Sequence, residues 1–546
     1  MLTLRNLRRT ALVLAVTGAT GVMGAALAAS SGSSLATVSR GTHLVSGDAV
    51  SGALSLSHPI HVTVAMKLRN PDQLRAYNAK PHRPMSSSQL SANHLPTSAQ
   101  AQAVANFLKN AGFNNVSISR NRMLVSADGN AAVAARAFNT SLSQVRTHDG
   151  RVSFANTTDV RIPASLRDGV QAVLGLQEVH QAHIHAVPAQ LVGTNAVTGH
   201  NPLDFPIIYG ASGLNPATDM NVAVWGWGSM APTLSDLTRY ENDNGLSHTS
   251  THVVCSLANG SVIINDPTCQ TSDQGSIEWD LDSQDIVAMT GGVNSLSFYA
   301  APSGNNGQIT TSLNVIVDPP NGIPLASVIN ASFGECERFE DSGQGGDGSA
   351  QADDALFQIG QAQGQTFSVS TGDAGYNNCG DKPAKDSASY PASSPYVIAV
   401  AGTTLNTTGT SYGSETVWRS SGGSPSSFES APSWQTPKQR GTYKGSRGPD
   451  VAFDGDPNSG AIIYVSAYGG YVQVGGTSLS APLFAGTWAR LISNGAADPM
   501  TPAGQQLYAA PYGNFHDVKQ GNNGGFRALP GWDWASGRGS MNVGTF

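Results

Sequence analysis

Charge is scarce in this chain. Asp, Glu, Lys and Arg make up 12% of its 546 residues, about half the roughly 25% usual in soluble domains. That excludes a polyelectrolyte tail or a charge-laced coiled coil, and a hydrophobic content of 40% excludes a mostly disordered chain. Histidine is scarcer still in one region: after residue 200 only His248, His252 and His516 occur. None has a recognisable catalytic setting, so a hydrolase with a histidine base finds little support there. Only four cysteines are present, Cys255, Cys269, Cys336 and Cys379, with no C-x-x-C among them. That argues against a zinc site and leaves room for two disulfides. Beyond residue 30 no apolar run is long enough to span a bilayer.

What is present is unevenly spread. Residues 1–200 carry a net charge of +10 and ten of the 13 histidines, whereas residues 201–546 carry −17. A basic, histidine-rich unit is joined to a larger acidic one. The acidic unit has no basic stripe, which excludes a nucleic-acid binder. The first residues read as a secretory signal: Arg5, Arg8 and Arg9 precede an apolar stretch that closes on Ala26-Leu27-Ala28, a small-residue cleavage site. Arg8-Arg9 also fits twin-arginine export. A secreted protein with an even cysteine count is expected to form disulfides. Of three connectivities we favour Cys255–Cys269 and Cys336–Cys379.

The chain divides into a signal peptide (1–28), a flexible Ser/Gly/Ala-rich segment (29–52), a small α+β unit (53–179), a linker (180–202) and a large domain (203–546). In the small unit, 61–68 alternates like a strand, 98–111 reads as a helix stopped by Gly112, and 116–118 and 123–125 read as strands. Residues 130–138 and 165–173 read as further helices. In the large domain, apolar runs at 221–225, 327–332, 367–370, 396–401 and 461–465 alternate with helical segments. Continuous apolar strands predict a parallel sheet covered on both faces, a doubly wound α/β domain.

Three patterns carry chemistry. Gly475-Gly476-Thr477-Ser478 leads into an apolar helix, so Ser478 sits at a helix N-terminus, where free N–H groups favour developing negative charge. It is either a nucleophile or a helix cap. Glu278 and Asp282, four apart on a predicted helix over 275–290, share one face about 6 Å apart. They form either a proton-sharing pair or an acidic solvated face, and Asp285, a further turn on, is a possible substitute. Asp373 follows a buried-looking strand, at the carboxyl end where open α/β sheets place their sites. A desolvated Asp there can stay protonated and donate to an oxyanion; otherwise it is a turn residue.

Together these motifs resemble the sedolisin family of serine-carboxyl peptidases, the acid-acting relatives of subtilisin, and within it the kumamolisin and xanthomonalisin type. The Glu-x-x-x-Asp helix, the strand-end Gly-Asp and the Gly-Thr-Ser before an apolar helix occur in the family's order. Ser119-Arg120-Asn121-Arg122, Ala135–Asn139 and Val173-Leu174-Gly175-Leu176 resemble elements of its prodomain. The stretch from Phe515 to Asp533 resembles its calcium loop.

The resemblance implies a subtilisin-like parallel sheet flanked by helices, preceded by a small antiparallel α+β prodomain over 53–179 that inhibits until acid triggers its removal. It implies a secreted endopeptidase made as a self-processing precursor. Ser478 is the nucleophile, Glu278 the base, Asp282 its partner and Asp373 the oxyanion donor. One structural Ca²⁺ is held by side chains of Asp517 and Asp533 and carbonyls of Val518, Leu529 and Gly531, with Leu529 standing where relatives often have Gly. Phe333 stands where relatives often carry Trp, which bears on subsite preference. The partners are a protein or peptide substrate and the protein's own prodomain, with no nucleic acid and, after signal removal, no membrane; the enzyme is expected to be a monomer. A tripeptidyl exopeptidase of the same family and an inactive secreted binding protein are the alternatives. The linker histidines His180, His183 and His185 could instead bind metal, although H-x-x-H-x-H in a linker lacks a rigid frame.

Overall fold

A computed structural model describes residues 34–189, 199–257, 260–380, 387–439 and 441–546. The signal peptide and linker residues 190–198 lie outside the described residues. Leu35 to Phe546 form one compact unit.

In the N-terminal part, Pro59–Met66 pairs antiparallel with Leu124–Asn130 and with Val170–Leu174, and Asn114–Ile118 completes a four-stranded sheet. The Ser98–Ala111 helix has the expected bounds. Thr97 accepts the Gln100 N–H, Gln100 answers in a capping box, and Gly112 at φ +102 ends the helix. Asn130 caps the Ala131–Ala137 helix. Two expectations fail here. The helix expected over 165–173 is a short 3-10 turn, Ala164–Leu166, followed by the strand Val170–Leu174. Gly169 interrupts the turn, and Val170, Ala172 and Val173 are buried in the sheet. The segment expected to be flexible holds two strands: Leu35–Ser39 pairs with Val160–Pro163, and Ala49–Ala53 pairs with Leu142–Arg146. Each edge gains ladder hydrogen bonds that the Ser/Gly composition does not advertise.

The large domain is built on a nine-stranded sheet. Its six central strands are parallel, in the order Thr251–Ser256, Val293–Ala301, Ala217–Trp227, Val328–Ala331, Thr366–Ser370 and Ile398–Thr408. Val451–Asp454 extends the parallel set beside the last of these. Helices cover both faces, as the continuous apolar strands require. Ala461–Val465 is a strand as expected but lies outside this sheet, paired antiparallel with Gly470–Gly475. Both favoured disulfides form, Cys255–Cys269 and Cys336–Cys379. Among the described residues no helix is long and apolar enough to cross a membrane.

The small unit has its own core, around Val62, Val64, Leu108, Val125 and Phe138. Its Leu74, Leu90, Leu95 and Met123 instead join the core of the large domain. The Ser119–Arg122 motif works at this junction. Asn121 donates to Asn314 Oδ1 at 2.8 Å, and Arg120 meets Asp318 through two nitrogens, at 2.5 and 3.0 Å.

Candidate active site

The Ser276–Thr290 helix begins where Asp273 accepts the N–H groups of Gly275 and Ser276, and it ends at Gly291 with φ +71. Every residue along it is buried, which excludes an acidic solvated face. It packs closely on the Thr477–Ser493 helix: a methyl group on Gly486 would lie 2.7 Å from Met289 Cβ. The carboxyl ends of two neighbouring parallel strands supply the rest, with Ser332 one residue past Val328–Ala331 and Asp373 three past Thr366–Ser370.

These elements bring Ser478, Glu278, Asp282 and Asp373 together. Burial and the neighbouring Asp282 drive the Glu278 carboxyl upward, so the pair retains a proton. The Ser478 hydroxyl and the Ala186 N–H act the other way, favouring the ionised form. Ser332 donates to Asp282 Oδ1 at 2.6 Å while accepting from Asn330 at 2.9 Å. Burial pushes Asp282 up to about 8 against those donors. Asp373 Oδ1 accepts both the N–H and the hydroxyl of Thr477 at 2.8 Å, leaving Oδ2 without a protein partner among the described residues. Burial holds this carboxyl up to about 7. Ser478 does not cap its helix; Gly476 holds the N-cap position, and the Ser478 hydroxyl donates to the Ser332 carbonyl at 3.3 Å. Asp285 is fully buried on the same helix, with neither carboxyl oxygen partnered among the described residues.

The first half of the linker occupies this site. Ala182 donates to the Gly304 carbonyl. His183 and Ile184 pair antiparallel with Gly334 and Phe333, and Val187 and Pro188 pair antiparallel with Gly475 and Val474. Between these ladders the N–H groups of His185 and Ala186 both donate to Glu278 Oε2, at 2.9 and 2.7 Å. The His185 carbonyl turns toward Asp373: a methyl group on Gly476 would fall 1.9 Å from that oxygen and 2.7 Å from Asp373 Oδ2. Only glycine, at φ +107, permits that approach. An extended segment paired on both sides thus brings one peptide group beside the two carboxyls.

Sequence reasoning overlooked the supports. Thr477 lies inside the Gly-Thr-Ser motif and was legible there. Asn330 and Ser332 end a parallel strand, a position that gave a signal although no motif marks them. His185 and Ala186 lie in the expected linker, where no motif marks the peptide bond between them.

At the C-terminus, Asp517 accepts the Gly531 N–H at 3.1 Å, with Lys519 3.5 Å away. Asp533 accepts from Leu529, Ala535 and Ser536, and burial pushes it up to about 6. Among the described residues there is no group of three or more His, Cys, Asp or Glu suited to a metal. The linker histidines are separated: His180 bonds the His43 carbonyl and His185 bonds Ser370.

Residues 47–179 match the Pro-kumamolisin activation domain family, and residues 288–508 match the subtilase family. Xanthomonalisin of Xanthomonas sp. (strain T-22) is 39% identical, over 92% of this chain and 67% of its own length. Sedolisin of Pseudomonas sp. (strain 101) is 38% identical, over 90% of this chain and 87% of its own length. The solved structure of Pseudomonas sedolisin, complexed with two molecules of pseudo-iodotyrostatin, superposes with a TM-score of 0.57 at 40% identity, covering 64% of this chain and 97% of that one. With an activation domain ahead of a subtilisin-like domain that carries this buried serine and carboxyl cluster, the chain belongs to the sedolisin family of serine-carboxyl peptidases.

Proposed function

We propose that this chain is a secreted precursor that cuts its own linker and then acts in acid as an endopeptidase. The observation that carries this reading is the linker itself, seated with the His185–Ala186 peptide between Glu278 and Asp373. Ser478 Oγ attacks the His185 carbonyl carbon while its proton passes to Glu278. Asp373, kept protonated by burial, and a backbone N–H hold the tetrahedral oxyanion. Glu278 then hands the proton to the Ala186 nitrogen, with which it is already in contact, and the C–N bond breaks. Asp282 orients Glu278 and shares its proton. Water, deprotonated by Glu278, releases the acyl group. A carboxyl base and a protonated oxyanion donor both suit acid, where a histidine base is already charged. The strand continues past the reacting peptide on both sides, which supports endopeptidase over tripeptidyl exopeptidase action.

Incubating the purified precursor at about pH 4, near the free Glu titration, and sequencing the products tests this. The expected first new N-terminus is Ala186. Cleavage outside 180–202, or none, overturns the reading.

The C-terminal loop supports one calcium ion. Asp517 and Asp533 carboxylates with the carbonyls of Val518, Leu529 and Gly531 make an all-oxygen set, the chemistry calcium takes. Bound there, the ion would neutralise two carboxylates in a loop that is otherwise Gly- and Asn-rich. Chelation should lower the melting temperature by about 5 °C, and added calcium should restore it. Superimposable melting curves with and without chelator would remove the ion from this account.

A further inference from the structure

The peptidase reading leaves open which side chain the enzyme selects on the acyl side of the cut, and the seated linker bears on that choice. His185 projects its ring toward the end of the Thr366–Ser370 strand, where Nδ1 and Ser370 Oγ share a hydrogen bond of 2.9 Å. Ser370 is fully buried, so its hydroxyl has given up water to be there. The opposite wall is the Phe333–Cys336 strand, paired with Ser389–Tyr390. A methyl group on Gly334 would sit 3.4 Å from His185 Cε1, 2.3 Å from Ser389 Oγ and 2.8 Å from the Tyr390 carbonyl. The imidazole therefore lies between Ser370 and the backbone at Gly334, with the small hydroxyl residue Ser389 behind that wall. Among the described residues no carboxylate forms an ion pair with the His185 ring. Desolvation, with His183 adding to it, holds the imidazole neutral down to about 3.

Resting on the peptidase reading above, we infer that Ser370 is a specificity-determining residue, selecting on the acyl side an uncharged side chain that can hydrogen-bond at the imidazole Nδ1 position. An apolar side chain of similar size would leave the buried Ser370 hydroxyl unpaired, the kind of mismatch that a polar pocket rejects. A lysine or arginine would bring a charge into a pocket without a counter-charge. Histidine and asparagine satisfy both demands.

The test uses the acid-activated enzyme and peptides that differ only at this position: His, Asn, Leu, Lys, and histidine methylated at Nδ1 or at Nε2. The reading is kcat/KM. Nδ1 methylation should lower it more than about tenfold relative to Nε2 methylation, because it removes the Ser370 contact. Ser370→Ala should lower the His peptide about 3- to 10-fold and leave the Leu peptide unchanged. Equal rates for the two methylated peptides, or a Ser370→Ala loss spread evenly over all peptides, would overturn the assignment of Ser370. The methylated pair needs only the unmodified enzyme, so it decides the matter even where the variant folds poorly. A total lack of Ser478-dependent cleavage would instead bring down the peptidase reading and this inference with it. Cleavage that ignores the residue at this position would sink the inference alone.

Discussion

Ser478→Ala should leave the precursor uncut in acid and lower peptide hydrolysis by about 10⁴- to 10⁶-fold, the scale on which serine peptidases lose their nucleophile. The size follows from what remains: Glu278 and Asp373 can still hold a peptide, but no oxygen attacks it. The cost to folding is expected to be small. Ser478 is not its helix's cap, and the bond from its hydroxyl to the Ser332 carbonyl, at 3.3 Å, is long. Losing it should cost about 1 kcal/mol. Ser480→Ala is the natural control. Ser480 is also fully buried, and it donates to the carbonyl of Asp454 at 2.9 Å. That variant should melt earlier yet still process itself. A mass spectrum of each precursor over time in acid, beside its melting curve, separates the two effects. Normal processing by the Ser478→Ala protein would end the assignment.

Much of this site was visible in the sequence because its parts are local. The spacing of Glu278 and Asp282 fixes a shared helix face, and the glycines before Ser478 fix a sharp entry into a helix. What held those parts was not visible. A run such as Glu278-Trp279-Asp280-Leu281-Asp282 normally marks a wet surface, and it is the Thr477–Ser493 and Ala231–Asp243 helices with neighbouring strands, distant from it in sequence, that bury it. The Asp282 supports come from Asn330 and Ser332, about fifty residues away. The failed helix at 165–173 has the same origin. Its apolar spacing fits either period, and pairing with Thr63–Met66 decided for a strand.

The scarcity of charge also takes on a different meaning. Among the described residues 17 acidic side chains are buried, all of them in the large domain. The net −17 of the large domain is therefore not a uniform anionic surface to which a basic prodomain adheres. Apolar contacts from Leu74, Leu90, Leu95 and Met123 hold much of that interface, with the Arg120–Asp318 pair beside them. A pH response of the docked precursor would then arise from a few desolvated groups more than from overall attraction.

His180 is one of two linker imidazoles expected to respond strongly. It is 5% exposed, its ring stacks on Phe339 with centroids 3.9 Å apart, and Nε2 meets the His43 carbonyl at 2.6 Å. Desolvation holds it down to about 4, with His43 and Arg151 adding to the decrease and the His43 carbonyl and Asp48 opposing it. Glu335, 3.7 Å from Nδ1, is pushed well up by its own burial, so in acid it offers no anion to a protonated ring. The docked linker therefore carries a neutral His180, whereas a released linker titrates near 6.5. Above about pH 6.5 docking keeps its full strength. Between about 6.5 and 4 the released form binds a proton that the docked form refuses. Each pH unit then removes about 1.4 kcal/mol, approaching 3 kcal/mol or about 100-fold by pH 4. His180→Gln cannot take that proton. In the uncut Ser478→Ala background, hydrogen exchange of the 180–189 amides, corrected for its intrinsic pH dependence, should rise steeply from pH 6.5 to 4 when His180 is present. With Gln it should rise up to about 100-fold less at pH 4. His185, held lower still at about 3, adds a response of at least that size in both proteins, so the effect of His180 is read from the difference between the two profiles. Identical exchange profiles would show that acid loosens the linker elsewhere. A flattened profile would identify the His180 imidazole as a point where a falling pH loosens the linker from the site it blocks.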